Sequence, residues 1–277
     1  MTRVQFWKYH GAGNDFLLVD LRGRPEGLSP DAVRRICARS TGVGADGILG
    51  LVPSPAGPHM RVMNSDGSIG DMCGNGLRCF VAWLIETQGY PCAPMVIGSD
   101  SGPQPAIPER TARGITSVTV QLNRPAFEPE TTVEIQGRAF RGVPASVGNP
   151  HFVMVRSPNP AELAAFGLAL ATHPRFPRGA NIEWLEPTGE RSGRLTVWER
   201  GCGLTQACGT GGGAAAAVGV QLGLFARGVP IELELPGGTL TYTVTDERLV
   251  MRGPVEYICS GRLAAVRLSP WQPGDES

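Results

Sequence analysis

Short apolar runs punctuated by glycine, proline and asparagine recur along the chain, a pattern that predicts many strands and few helices. Residues 4–9 and 16–20 read as a strand pair around the tight loop His10-Gly-Ala-Gly-Asn14. Ser29 and Pro30 then open a helix, Ser29 as cap and Pro30 in the first turn, with Val33, Ile36 and Cys37 at helical spacing in a segment running to about residue 39. Residues 48–52 and 60–63 return to strand. Residues 77–87 read as a second, strongly apolar helix closed by Gly89. Residues 91–113 are rich in proline and glycine and are expected to form an exposed connection, and residues 117–122 alternate as a strand.

Beyond a crossing at Asn123-Arg-Pro-Ala the same logic returns. Strands are expected near Val133 and over residues 138–143 and 152–155, then a helix over residues 160–167 capped by Asn159, then strands over 182–185 and 194–199. Residues 212–222 are alanine-rich and predict a buried helix whose small side chains allow close packing against a sheet. Strands dominate residues 231–268, and a polar tail begins at Pro270. The expected domains are residues 1–124, completed by 255–277, and residues 125–254.

Each half contains one glycine loop that starts with cysteine and leads into a predicted helix: Cys73-Gly74-Asn75-Gly76 and Cys208-Gly209-Thr210-Gly211. Either loop alone is weak, because turns and phosphate-binding loops share its composition. As a matched pair they point to two thiols serving one substrate. A helix N-terminus presents backbone N–H donors and partial positive charge, so a cysteine there is expected to have a lowered pKa.

Composition narrows the chemistry. The chain has 277 residues, 42% hydrophobic and 18% charged, enough to build one large or two medium cores. Its 25 basic and 25 acidic residues balance, so neither nucleic acid nor an anionic membrane is an expected partner. The start of the chain lacks the apolar core of a signal peptide and no stretch is long and apolar enough to span a bilayer, so a cytoplasmic location is expected. Seven cysteines at scattered spacings do not resemble a secreted disulfide framework, and free thiols are expected, with Cys37, Cys79, Cys92 and Cys259 as buried structural ones. The extra cysteines Cys79 and Cys202 fall on opposite sides of their loops, so no metal site is expected. Lys8 is the only lysine, and it lies outside any phosphate-binding context, which argues against pyridoxal phosphate chemistry and for a mechanism without cofactor.

Five blocks in order carry a resemblance: His10-Gly-Ala-Gly-Asn14-Asp-Phe, Asn64-Ser-Asp-Gly-Ser with Met72-Cys-Gly-Asn-Gly-Leu-Arg-Cys79, Gly148-Asn-Pro-His151, Asn181-Ile-Glu, and Glu199-Arg-Gly through Cys208-Gly-Thr-Gly. Through them nearly the whole chain resembles the diaminopimelate epimerase family. The resemblance implies two similar α/β domains, each a mostly antiparallel β-sheet wrapped around a central helix, and epimerisation of LL- to meso-diaminopimelate in lysine and peptidoglycan precursor synthesis. It implies Cys73 and Cys208 as the two catalytic thiols, with His151 and Glu199 setting their protonation. It further implies Gly74, Asn75, Gly209 and Thr210 as a carboxylate cradle, Asn14, Asn64, Asn149, Asn181, Glu199 and Arg200 as substrate contacts, and a homodimer. Gly47 stands where some members carry glutamine, and Cys259 where some carry an aromatic residue used in dimerisation. His59 and His173 read as turn or core residues. The other readings are a racemase with a different side-chain preference, discriminated by Asn181 and Arg200, a thiol redox protein using Cys73 and Cys208, and a non-catalytic amino-acid-binding module. The last two leave the Asn and Arg blocks or the paired thiols unexplained.

Overall fold

The structure, a computed structural model, describes residues 4–24, 27–70 and 73–263. Met72 of the first cysteine block and the polar tail from Pro270 therefore lie outside the described residues. The described residues form two compact units, one made of those up to residue 120 together with 254–263, the other of residues 121–253.

Both units follow one strand order. In the first, Asn14–Asp20 runs parallel to Gly47–Val52, with helix α1 (Pro30–Cys37) between them in sequence. Gly47–Val52 then pairs antiparallel with His59–Asn64, which runs parallel to Met95–Ser99 after the intervening helix α2 (Gly74–Thr87). In the second unit Pro150–Val155 runs parallel to Asn181–Gly189 across α3 (Pro160–Ala171), and Asn181–Gly189 pairs antiparallel with Ser192–Glu199. Ser192–Glu199 in turn runs parallel to Ile231–Leu235 across α4 (Gly209–Gln221). Each unit is sheet-dominated, with one helix enclosed and the other packed outside, as the pattern of short apolar runs predicts.

The two enclosed helices are buried by different means. In α2 every residue from Gly74 to Ile85 is buried, including Leu77, Phe80, Trp83 and Leu84. A helix apolar on all sides belongs inside, and at about 1.5–3 kcal/mol per large side chain removed from water, packing outweighs any helix propensity. The last turn ends at Gln88, followed by Gly89 at φ +76°, a conformation glycine adopts without strain. Helix α4 is built instead from glycine and alanine, so its partners come to its backbone. A Cβ on Gly212 would stand 2.1 Å from the Tyr242 hydroxyl, and one on Gly219 2.4 Å from Phe225. The outer helices have the expected caps: Ser29 Oγ accepts the Ala32 N–H at 3.3 Å, and Asn159 Oδ1 accepts the Ala161 N–H at 3.0 Å.

Residues 91–113 depart from expectation. They include two strands, Met95–Ser99 and Gln104–Thr111, paired antiparallel, and the second also pairs with Gly114–Leu122. Ile97 and Ala106 point into the core, and this alternation outweighs the prolines. Pro108 is tolerated because Met95–Ser99 pairs only as far as Ala106, which leaves Pro108 without a ladder partner on that side. Cys37 and Cys79 are buried as expected, but Cys92 and Cys259 are exposed, Cys259 on Glu256–Leu263, where seven of eight residues reach solvent. No helix among the described residues is long and apolar enough to cross a membrane.

Candidate active site

The two cysteine loops share one backbone geometry. Cys73 caps α2 at φ −112°, ψ 113°, and Cys208 caps α4 at φ −115°, ψ 107°. Each sulfur accepts the N–H three residues on, from Gly76 at 3.4 Å and from Gly211 at 3.3 Å. The helical ladder starts from the same cysteines, with Leu77 N–H donating to Cys73 O and Gly212 N–H to Cys208 O. Gly74 and Asn75, and likewise Gly209 and Thr210, thus occupy the turn whose N–H groups have no intrahelical acceptor. Small residues there leave room for a ligand atom to approach the backbone.

In the first unit, Asn14 joins this loop. Its Oδ1 lies 3.9 Å from Cys73 Sγ and accepts from Asn75 Nδ2 at 3.2 Å, while its Nδ2 donates to Asp46 at 2.7 Å. The amide orientation is thereby fixed. Asp46 also accepts the Asp15 N–H and a guanidinium N–H of Arg39, and Asp15 pairs with Arg39 and Lys8. Burial opposes ionisation of Asp15, yet hydrogen bonds and charge from Arg39 and Lys8 outweigh it and hold the carboxyl below the ordinary range. The single lysine of the chain is thus committed to Asp15 and to the Gly44 carbonyl. Asn64 sits on a separate turn, closed by its own amide on Ser68 and joined to Asp46 by the Ser65 N–H.

The second unit assembles the remaining predicted residues. Asn149, on the turn before Pro150–Val155, contacts both His151 Nε2, through Oδ1 at 3.0 Å, and Thr210 Oγ1, through Nδ2 at 3.3 Å. Thr210 Oγ1 in turn lies 3.6 Å from Cys208 Sγ. Asn181, in register with His151 on the neighbouring parallel strand, accepts the Arg200 N–H at 2.8 Å, and the Arg200 guanidinium is exposed and donates to the Arg178 carbonyl. Glu199 is half-buried and accepts from Thr205 Oγ1 at 2.6 Å. His59 opens the strand His59–Asn64 beside Asp100, and His173 lies in the turn after α3, accepting from Arg175 N–H.

The electrostatics of Cys208 correct the expectation of a lowered thiol pKa. Burial pushes the Cys208 thiol well above its ordinary value, and the negative charges of Glu199 and Glu183 add to this. Hydrogen bonds from Thr210 and the Gly211 N–H pull the other way and are outweighed. In this environment the neutral thiol is the favoured form. No group of three or more His, Cys, Asp or Glu among the described residues is arranged to hold a metal ion.

The model of the diaminopimelate epimerase family matches residues 6–121 and 143–258, one segment around each cysteine loop. The chain belongs to the diaminopimelate epimerase family. A diaminopimelate epimerase of Geobacillus kaustophilus is 37% identical over 280 residues, spanning 94% of this chain and 97% of the relative. One of Desulfitobacterium hafniense is 36% identical, spanning 96% and 100%. Among solved structures, a PhzF-family phenazine biosynthesis protein from Bacillus anthracis superposes with TM-score 0.73 at 17% identity, over 96% of this chain and 100% of that one. A hydroxyproline epimerase from Agrobacterium vitis, with bound trans-4-hydroxy-L-proline, gives TM-score 0.70 at 13% identity, over 94% and 92%. At such identities the likeness is one of fold.

Within this member of the diaminopimelate epimerase family, four residues join the site that the sequence did not single out. Arg78, fully buried, donates to the Gly74 carbonyl, and Tyr242 donates to the equivalent Gly209 carbonyl, so each helix start is pinned by a side chain. Asp46 orients Asn14. Glu183, fully buried, lies 2.6 Å from His151 Nδ1. A glutamate inside the apolar run Ile182-Glu-Trp-Leu185 was the available signal, since an ionisable side chain on a buried strand needs a partner.

Proposed function

We propose that the chain epimerises LL-2,6-diaminopimelate to meso-diaminopimelate without a cofactor, with Cys73 and Cys208 as base and acid. The carrying observation is the pair of cysteines held in one N-cap geometry within a chain of this family. A single base that returns its proton to the same face regenerates the starting isomer; a thiolate and a thiol acting on opposite faces invert the centre. The thiolate takes the α-proton, the second thiol supplies one, and the pair ends with its charge exchanged. Burial favours Cys208 as the neutral partner, so a turnover that begins from this state uses Cys208 as the acid.

The α-proton of an amino acid is weakly acidic, so negative charge developing on the substrate carboxylate must be stabilised. The first-turn N–H groups at Gly74, Asn75, Gly209 and Thr210, each at a positive helix end, suit that role. His151 and Glu199 set thiol protonation, and Arg200, Asn14, Asn64, Asn149 and Asn181 recognise the distal amino-carboxylate, Arg200 as a bidentate partner for its carboxylate. The commitment of the sole lysine to Asp15 supports chemistry without a Schiff base. The product would feed lysine and peptidoglycan precursor synthesis, in the cytoplasm and from a homodimer.

Incubation of the reduced protein with LL-diaminopimelate in heavy water is expected to give meso product carrying α-deuterium. Cys73→Ala and Cys208→Ala should each abolish inversion. Neither meso product nor deuterium from the unaltered chain would refute the assignment, and wild-type turnover in either variant would refute the two-thiol mechanism.

A further inference from the structure

If each thiol must serve as base in one direction, Cys208 poses a problem: it is buried and faces two carboxylates, yet must become a thiolate. The hydrogen bonds around it indicate what offsets this. With Asn149 Nδ2 donating to Thr210 Oγ1 at 3.3 Å, Asn149 Oδ1 is the atom that faces His151 Nε2 at 3.0 Å, and so Nε2 carries a proton. A second proton lies between Nδ1 and Glu183 Oε1, 2.6 Å apart with both side chains enclosed. Because the Thr210 hydroxyl accepts from Asn149, its own O–H is left to donate to Cys208 Sγ at 3.6 Å. Every bond in the series runs one way, from the His151–Glu183 pair towards the sulfur. Such a series favours the thiolate, because it ends in a donor.

We propose that Glu183 is a positioning residue for this reaction: by keeping His151 protonated on both ring nitrogens, it sets the direction of the Asn149–Thr210 hydrogen bonds and so stabilises the Cys208 thiolate. The inference rests on the proposed function. Without the carboxylate, His151 holds one proton, on Nδ1 or Nε2. With Nε2 bare, the Asn149 amide turns to donate to it, Thr210 donates to Asn149, and Cys208 S–H donates to Thr210, which fixes the thiol. No proton passes through the amide; the amide and the hydroxyl only reorient. The charged and titratable groups facing this cluster are His151 on Pro150–Val155, Glu199 on Ser192–Glu199, and Cys208 at the start of α4. Burial pushes the Glu183 carboxyl up, and the charge and hydrogen bond of His151, joined by a hydrogen bond from the Phe152 backbone, draw it back towards the ionised form.

Glu183→Gln retains the shape and removes the carboxylate. If Glu183 acted on Cys208 only through its own charge, removing it would move the basic-group limb of the kcat/KM profile to lower pH. The hydrogen-bond series predicts the opposite: the limb moves up by about one pH unit and kcat/KM at neutral pH falls about tenfold, with KM little changed. Thr210→Val, which keeps the backbone and breaks the series next to the sulfur, should move the limb in the same direction. Nitrogen-15 spectra of the imidazoles provide a readout that needs no substrate. In the unaltered chain His151 should show two protonated ring nitrogens, and in Glu183→Gln only one. A limb that stays or moves down in the variants, or a singly protonated His151 in the unaltered chain, overturns the inference. Absence of epimerase activity in the unaltered chain would instead refute the functional reading, and the spectra would still decide the role of Glu183.

Discussion

Gly212→Ala tests how tightly the fold controls the position of Cys208. The new Cβ would stand 2.1, 2.5 and 2.8 Å from Oη, Cζ and Cε2 of Tyr242, a side chain with no exposed surface, so it has no space into which to turn. Restoring ordinary contact requires helix and ring to separate by about 1 Å. Overpacking of this kind costs about 1–3 kcal/mol, offset by about 1 kcal/mol because alanine favours the helix, for a net loss of about 0–2 kcal/mol. The larger effect falls on activity. Tyr242 donates to the Gly209 carbonyl at 3.0 Å, so the displacement acts on the turn that carries Cys208, and misplacement by about 1 Å costs roughly a hundredfold. Gly219→Ala is the control: its Cβ would meet Phe225 at 2.4 and 2.6 Å, two turns further along the same helix and about 10 Å from Gly212. Urea unfolding and steady-state epimerisation of diaminopimelate separate the two quantities. Both variants should be similarly destabilised, while only Gly212→Ala loses turnover. Equal loss of turnover in both, or none in either, would refute the reasoning.

Lys8→Met should destabilise the first unit by about 3 kcal/mol, because it leaves the buried Asp15 carboxylate with one cation fewer. Asp15 has its folded pKa lowered, so the pair stabilises above the ordinary carboxylate pKa of about 3.9 and the contribution is lost as pH falls through the lower folded value. The difference between the unaltered chain and the variant should therefore shrink on acidification, as read by urea unfolding between neutral and acid pH. In the native protein at neutral pH a thiol reagent should modify Cys92, Cys202 and Cys259 first, all of them exposed. Cys37 and Cys79, pushed up to about 12 chiefly by burial, should react only on unfolding, as mass mapping of the labelled cysteines would show. Labelling of Cys37 at the rate of Cys92 would contradict the packing described.

The parts legible in the sequence were those with local causes. Ser29, Asn159 and Gly89 are capping signals that act within a turn, and the alanine run of α4 has few uses other than close packing. The cysteine loops were legible because they repeat. Residues 91–113 were misread because their proline content is a local signal, whereas the pairing of Ile97 and Ala106 into the core depends on distant strands. The exposure of Cys259 was hidden because its strand, Glu256–Leu263, is open to solvent on both faces, and its own sequence does not show that nothing covers it. The lowered thiol pKa expected from the helix end failed at Cys208 because burial and two carboxylates, 9 and 25 residues away in sequence, outweigh the local dipole. Glu183 was visible only as an anomaly in an apolar run; its partner, 32 residues earlier, was not.

The two pins on the helix starts carry a consequence for how such a site could arise from a repeated unit. Two identical copies would give two identical acids, with nothing to decide which is charged when substrate arrives. Here the same carbonyl is held by a permanent cation in one copy, Arg78, and by an uncharged phenol in the other, Tyr242, and Glu199 and Glu183 bring negative charge to the second thiol. Divergence at the supporting side chains, with the cysteine loops left alike, gives the duplicated frame a direction.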